Sequence, residues 1–302
     1  MTRFAPTCVL IAVALLGTAC GERTEPVGAL AQAYPVAVHG AGDRPTVMKS
    51  RPERIVVLDP GPAETLLAIG AGDRLVGVPA GLATGAARRA QEVVRATGQI
   101  NVDEVISLDP DLIVATPSID ELDLARAGRQ SGAAVYVQPD TSILNVEQGT
   151  IDIGFLVGEA PRARRLVGRI ERKVEDIERR LAAVAPVKVF VDTGFFITVP
   201  ERSLLGDLVR KAKGESVTGP TPGPGPFPLA DLARLNPAVY LATSDAGVTL
   251  AALRENPALR GVKAVKKRQL KTVPAELVTR AGPRVPDGLE AIARALHPDA
   301  FR

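Results

Sequence analysis

The residues able to do acid–base, covalent or metal chemistry are few, and their spacing supports little of it. His39 and His297 are the only histidines, and neither stands at ligand spacing to a second histidine or to a cysteine. The sequence has no Gly-x-Ser-x-Gly nucleophile elbow and no Gly-Lys dipeptide of a phosphate loop. Gly70-Ala71-Gly72 follows a helical stretch, so it reads as a helix C-cap and not as a dinucleotide fingerprint. No catalytic residue, metal site or cofactor is expected. What remains is the chemistry of recognition. Phe195, Phe196 and Phe227 offer aromatic faces, and Arg88, Arg89, Arg280 and Arg284 offer cations. Tyr136 and Tyr240 fall in predicted strands, where core packing is the first reading and ligation of a metal by a phenolate the second.

The elements that must position these residues read as two similar lobes. Leu108-Asp109-Pro110-Asp111-Leu112-Ile113-Val114-Ala115 recurs in altered form as Leu235-Asn236-Pro237-Ala238-Val239-Tyr240-Leu241-Ala242. Each copy follows a short amphipathic stretch, Val102 to Ser107 and Leu229 to Arg234. The spacing predicts first-lobe strands at 54–58, 75–78, 112–115 and 134–137, and second-lobe strands at 187–191, 239–242 and 270–273. Helices are predicted at 63–69, 204–212 and 286–296. Strands alternating with helices imply mostly parallel sheets covered on both faces. From about 151 to 185, Leu166, Ile170, Val174, Ile177, Leu181 and Val184 form one apolar stripe at three- and four-residue spacing, which predicts a single long helix joining the lobes. The expected fold class is therefore α/β, with two Rossmann-like lobes, one backbone helix and a cleft between the lobes.

Ligand crevices form at the carboxyl ends of parallel strands. That rule selects Pro60, Gly61, Ala80, Thr116 and Pro117 in the first lobe, and Phe195, Phe196, Ser244 and Arg284 in the second. Gly219 to Pro228 has proline at every second position. It reads either as an extended surface loop or as a loop across the cleft mouth that offers Phe227.

The amino terminus stands apart. Arg3 precedes an apolar run, Phe4 to Leu16, too short to span a bilayer, followed by Leu16-Gly17-Thr18-Ala19-Cys20. Small residues before a cysteine resemble a bacterial lipobox, with Cys20 as the lipidated residue. Cys8 lies inside the leader, so the mature chain would carry no free thiol or disulfide. Expected boundaries are a signal peptide at 1–19, a lipidated tether with a short hairpin at 20–50, lobes at 51–150 and 186–302, and the linking helix at 151–185. The formal charge of +3 comes without the basic clusters and interleaved aromatics of a nucleic-acid binder.

A family resemblance now becomes specific. It rests on Pro52-Glu53-Arg54-Ile55-Val56, Ala63-Glu64-Thr65-Leu66, Gly70 to Val78, Leu108 to Ile113, Leu235-Asn236-Pro237, Asn256-Pro257-Ala258-Leu259 with Ala264-Val265-Lys266, and Gly282-Pro283-Arg284, in that order. The chain resembles the cobalamin and ferric-siderophore class of substrate-binding proteins that feed ABC importers. The resemblance implies a small-molecule ligand, weakly an iron chelate in preference to cobalamin, and a permease partner. It also implies a monomeric, non-catalytic receptor on the extracytoplasmic face of the membrane. A surface lipoprotein hydrolase on the same scaffold, or a protein-binding module, are the alternatives. The resemblance further implies one docking acid per lobe. Counting back from Asn101 places the first on Glu92, in a predicted helical stretch 86–96. Counting back from Asn236 reaches Ala230, so the adjacent Asp231 is the second candidate.

Overall fold

The structure is a computed structural model that describes residues 32–302, apart from Asp43, Thr84, Ala96, Thr221 and Pro224. An antiparallel hairpin, β1 (Val36–Val38) and β2 (Thr46–Met48), precedes the first lobe. That lobe runs β3 (Ile55–Val57), α1 (Pro60–Ala68), β4 (Leu75–Pro79), β5 (Gln91–Val94), α2 (Val102–Ser107), β6 (Leu112–Ala115), α3 (Glu121–Ser131) and β7 (Ala134–Val137). Its five strands pair in parallel in the order β5-β4-β3-β6-β7. Asp120 opens α3 by accepting from the amides of Leu122 and Asp123, and Gly132 closes it at φ 73°.

Two helices follow where the apolar stripe predicts one: α4 (Ile143–Leu156) and α5 (Ala160–Arg180). Gly158 at φ 73° turns the chain between them, and the Glu159 amide donates back to the Gly154 carbonyl at 2.7 Å. Pro161 then sits in the first turn of α5, where its missing N–H costs nothing. Gly154 lies directly against the Ala163 methyl, so the helices cross closely. Along α5, Ala163, Leu166, Val167, Ile170, Val174 and Ile177 are buried, and the larger ones contribute roughly 1.5–3 kcal/mol each.

The second lobe runs β8 (Val187–Asp192), α6 (Leu204–Lys211), β9 (Gly214–Ser216), α7 (Leu229–Leu235), β10 (Val239–Thr243), α8 (Leu250–Glu255), α9 (Lys263–Lys266), β11 (Leu270–Val273), α10 (Ala275–Val278) and α11 (Val285–Leu296). Its four strands pair in parallel in the order β11-β10-β8-β9. One apolar core runs from the inner face of the first sheet through α4 and α5 to the inner face of the second. Each lobe has a further core on its other face. Residues 32–302 therefore form one unit.

Candidate functional site

The carboxyl ends of the strands meet two cavities that both lobes line. In the first, of about 340 Å³, Leu58, Asp59, Pro60, Pro79, Ala80, Val94, Arg95 and Ser118 from the first lobe face Arg280 from the second. In the other, of about 260 Å³, Asp140 and Thr141 after β7 face Thr193 after β8, the start of α6, and Val278 and Thr279. A third cavity of about 340 Å³ lies between β9 and α6 of the second lobe and shares Val199 with the second cavity.

Asp59 clamps the first-lobe wall. Its Oδ2 accepts from the Thr116 amide and its Oδ1 from the Ser118 hydroxyl, both at 2.7 Å. Both oxygens are occupied in holding the loop after β6, and no imidazole stands between Ser118 and this carboxylate. The pair fixes the shape of the loop after β6. Burial, and then the nearby Asp59 charge, push the Asp140 carboxyl above its ordinary range. Among the described residues no group of three or more His, Cys, Asp or Glu could hold a metal ion.

The wall on the second lobe is the turn after β8. Gly194, Phe195 and Phe196 all have positive φ, at 125°, 55° and 61°. Two bulky residues in the left-handed region cost of order 1–3 kcal/mol each, which the surroundings must over-determine. Ile197 donates its amide to the Gly194 carbonyl at 2.9 Å, and Thr193 its amide to the Ile197 carbonyl at 2.8 Å. Phe196 packs into the apolar core below, while Phe195 is 85% exposed.

Between the cavities the lobes touch. Glu64 of α1 accepts from Arg284 Nε at 3.0 Å, from Arg284 Nη2 at 2.9 Å and from Arg280 Nη1 at 3.0 Å. A Cβ on Gly61 would stand 2.6 Å from the Ala281 carbonyl, and one on Gly282 would stand 2.7 Å from the Gly61 carbonyl. The buried Gln138 amide donates to the Ala281 carbonyl at 2.8 Å. Asp207 accepts from the Ile143 amide at 3.1 Å.

This geometry, parallel strand ends of two lobes facing each other across a pair of shared cavities, agrees with a family model described as periplasmic binding protein, which matches residues 55–277. The chain belongs to the periplasmic binding protein family. It is 26% identical to the uncharacterized ABC transporter substrate-binding lipoprotein YvrC of Bacillus subtilis, over 97% of this chain and 96% of that one. It is 29% identical to a cobalamin-binding protein of Halobacterium salinarum, over 71% of this chain and 61% of that one. Its fold is also that of the periplasmic vitamin B12 binding protein BtuF of Vibrio cholerae. The TM-score is 0.71 at 20% identity, covering 83% of this chain and 98% of that one.

In this periplasmic binding protein several predicted site residues take other roles. Pro60 and Ala80 line the first cavity, and Pro117 is exposed beside it. Gly61 is sealed in the lobe contact because only hydrogen fits against Ala281, so it shapes the cleft without facing it. Thr116 is buried, with its amide given to Asp59. Ser244 is exposed and its Oγ accepts from the Ala275 amide at 3.0 Å. Arg284 is held by Glu64. Phe227 does not reach across the cleft: its ring stands 5.8 Å from that of Phe190 and its amide donates to the Phe196 carbonyl. Apolar packing claims that ring despite the proline-rich segment around it. Phe196 is likewise turned to the core.

Glu92 is on strand β5 and not on a helix, because Val93 and Val94 complete the sheet edge. Asp231 lies in the first turn of α7, paired with Arg234 at 3.0 Å. Arg88 and Arg89 are exposed beside a short 3-10 turn. Cys20 lies outside the described residues. Tyr136 donates to Asp152 at 3.0 Å and Tyr240 to Asp192 at 2.6 Å, both buried, so neither phenol is turned toward the cleft. Arg280, one of the four candidate cations, does line the first cavity, whereas Glu64, Asp140 and Asp192 are residues of the lobe contact and cavity walls that spacing alone did not single out.

Proposed function

We propose that this chain is a non-catalytic receptor that captures a bulky metal chelate between its lobes and hands it to an ABC permease. The observation that carries this reading is that residues of both lobes line each of the two strand-end cavities, Asp59 with Arg280 and Asp140 with Thr193. A ligand spanning them touches both lobes, as delivery by a two-lobed receptor requires. A ferric siderophore is the first ligand, since Arg95 and Arg280 place cations at the first cavity. Cobalamin is the second, supported by the exposed ring of Phe195 and by the halobacterial relative, whose name gives cobalamin as its ligand.

The test is thermal unfolding with a ferric trihydroxamate, haemin and cyanocobalamin. Ligand at a hundred times Kd stabilises the folded state by about 2.7 kcal/mol. For a protein of this size that raises Tm by roughly 5–10 °C. A flat response to all three probes would sink the reading. Anchoring is proposed through lipid on Cys20, in keeping with the lipoprotein relative. Cys20→Ser should move the protein from the membrane fraction to the soluble fraction, and an unchanged fractionation would refute the anchor.

A further inference from the structure

The turn after β8 differs from every other place where a non-glycine residue of the described chain takes a positive φ. Asp109, Lys213, Asn236 and Arg268 each follow a helix, ending α2, α6, α7 and α9, where one left-handed residue is an ordinary way to stop. Phe195 and Phe196 end no helix. They are consecutive, and Gly194 before them is also at positive φ. Strain of this kind persists only where something fixes the segment.

Beside the backbone bonds within the turn, a buried carboxyl side chain ties down its start. Asp192, the last residue of β8, is 1% exposed. Its Oδ1 accepts from the Gly194 amide at 2.7 Å and its Oδ2 from the Tyr240 hydroxyl at 2.6 Å. It has no salt bridge to a Lys, Arg or His among the described residues. A carboxyl group buried without a counter-ion is a poor device for stability, since an apolar side chain of similar volume would avoid its desolvation. It is a good device for setting one conformation, because two directed donors fix its plane and one of them is the backbone of the strained turn.

We infer that Asp192, with Tyr240, is the positioning pair of the second-lobe wall. It holds residues 193–197 so that Phe196 packs against the second-lobe core, Phe195 stands exposed, and Thr193 borders the interlobe cavity. The consequence is an added contact for ligands that present an apolar face, such as a macrocycle, while a compact chelate held by the first-cavity cations gains nothing from it. This inference rests on the proposed ligand cleft.

The experiment joins amide hydrogen exchange on the full folded chain with equilibrium dialysis of cyanocobalamin and a ferric trihydroxamate. Asp192→Asn leaves one acceptor oxygen for two donors. It should lose exchange protection at Gly194 and Ile197 while Val189 and Val191 in β8 keep theirs. Macrocycle affinity should fall about tenfold, as loss of an aromatic contact would cause. In a Phe195→Ala background, Asp192→Asn should produce no further loss, because its effect passes through that ring. Protection unchanged at 194 and 197, protection lost evenly across the lobe, or losses that multiply in the double variant would each overturn the inference. If Asp192→Asn does not fold, Tyr240→Phe removes a single donor and is judged by the same exchange pattern. If neither probe binds the wild type, the cleft reading has failed, and the exchange data alone decide whether Asp192 holds the turn.

Discussion

The carboxylate of Glu92 accepts a hydrogen bond from the Gly81 amide at 2.8 Å and remains exposed on the edge strand β5. Gly81 follows Ala80, which lines the first cavity, so this acid supports the cavity wall as well as facing solvent. A charge-reversing substitution would therefore confound docking with loss of the wall. Glu92→Gln keeps an acceptor oxygen for Gly81 and removes only the charge. If Glu92 docks to the permease as the family resemblance implies, this variant binds ligand within error of wild type and lowers uptake in cells, with a weaker dependence of uptake on salt. Unchanged uptake would remove Glu92 from docking. The residue also shows how an element is misread from sequence, a strand taken for a helix. Gln91 and Glu92 are both exposed, so the strand lacks alternation, and neighbouring Arg88, Arg89 and Arg95 give the segment a helical look.

At the scale of elements, legibility followed burial. The strands β6, β7 and β11 begin and end at the residues predicted, because each carries β-branched residues and stops at a polar residue or proline, Thr116, Gln138 and Pro274. The repeated Leu-Asx-Pro phrase is also a repeated structure. Asp109 and Asn236 take φ 45° and 50° at the ends of α2 and α7, and each leads into a strand of its own lobe. Short polar side chains tolerate that conformation, so the motif encodes a stop and a turn rather than a ligand contact. By contrast, β9 is Gly-Glu-Ser on a sheet edge and carries no apolar signal. The α4–α5 turn was hidden for another reason. Its break rests on Gly158 and on Pro161, which from the sequence marks a start or a kink, while the apolar residues run on past both, and α4 is apolar on several faces because it is covered by α5, the hairpin and both lobes. A period detects a half-buried helix far better than a buried one.

Across the whole molecule, the position of the cleft was legible from one rule about strand ends, but the ties that set its width were not. Glu64 and its arginine partners lie 216 and 220 positions apart, beyond any local pattern. Those ties act together with the core that runs unbroken through α4 and α5, so opening the lobes would separate packed apolar surface, the Gly61–Gly282 contact and a bidentate ion pair at once. The lobes are therefore expected to move little on binding. Glu64→Gln tests how much of this belongs to the ion pair. Its side chain is 15% exposed and those of Arg280 and Arg284 are 35% and 42%, so solvent screens the pair on one side. Weighing that screening against charge-assisted, bidentate geometry gives about 1–2 kcal/mol for the substitution, or roughly 2–8 °C in Tm. The expected signature is a loss that does not add to that of Arg284→Gln, since both break the same contact. Additive losses in this double-mutant cycle, or a Tm unchanged by Glu64→Gln, would mean that packing alone holds the lobes and that the arginines are available to a ligand.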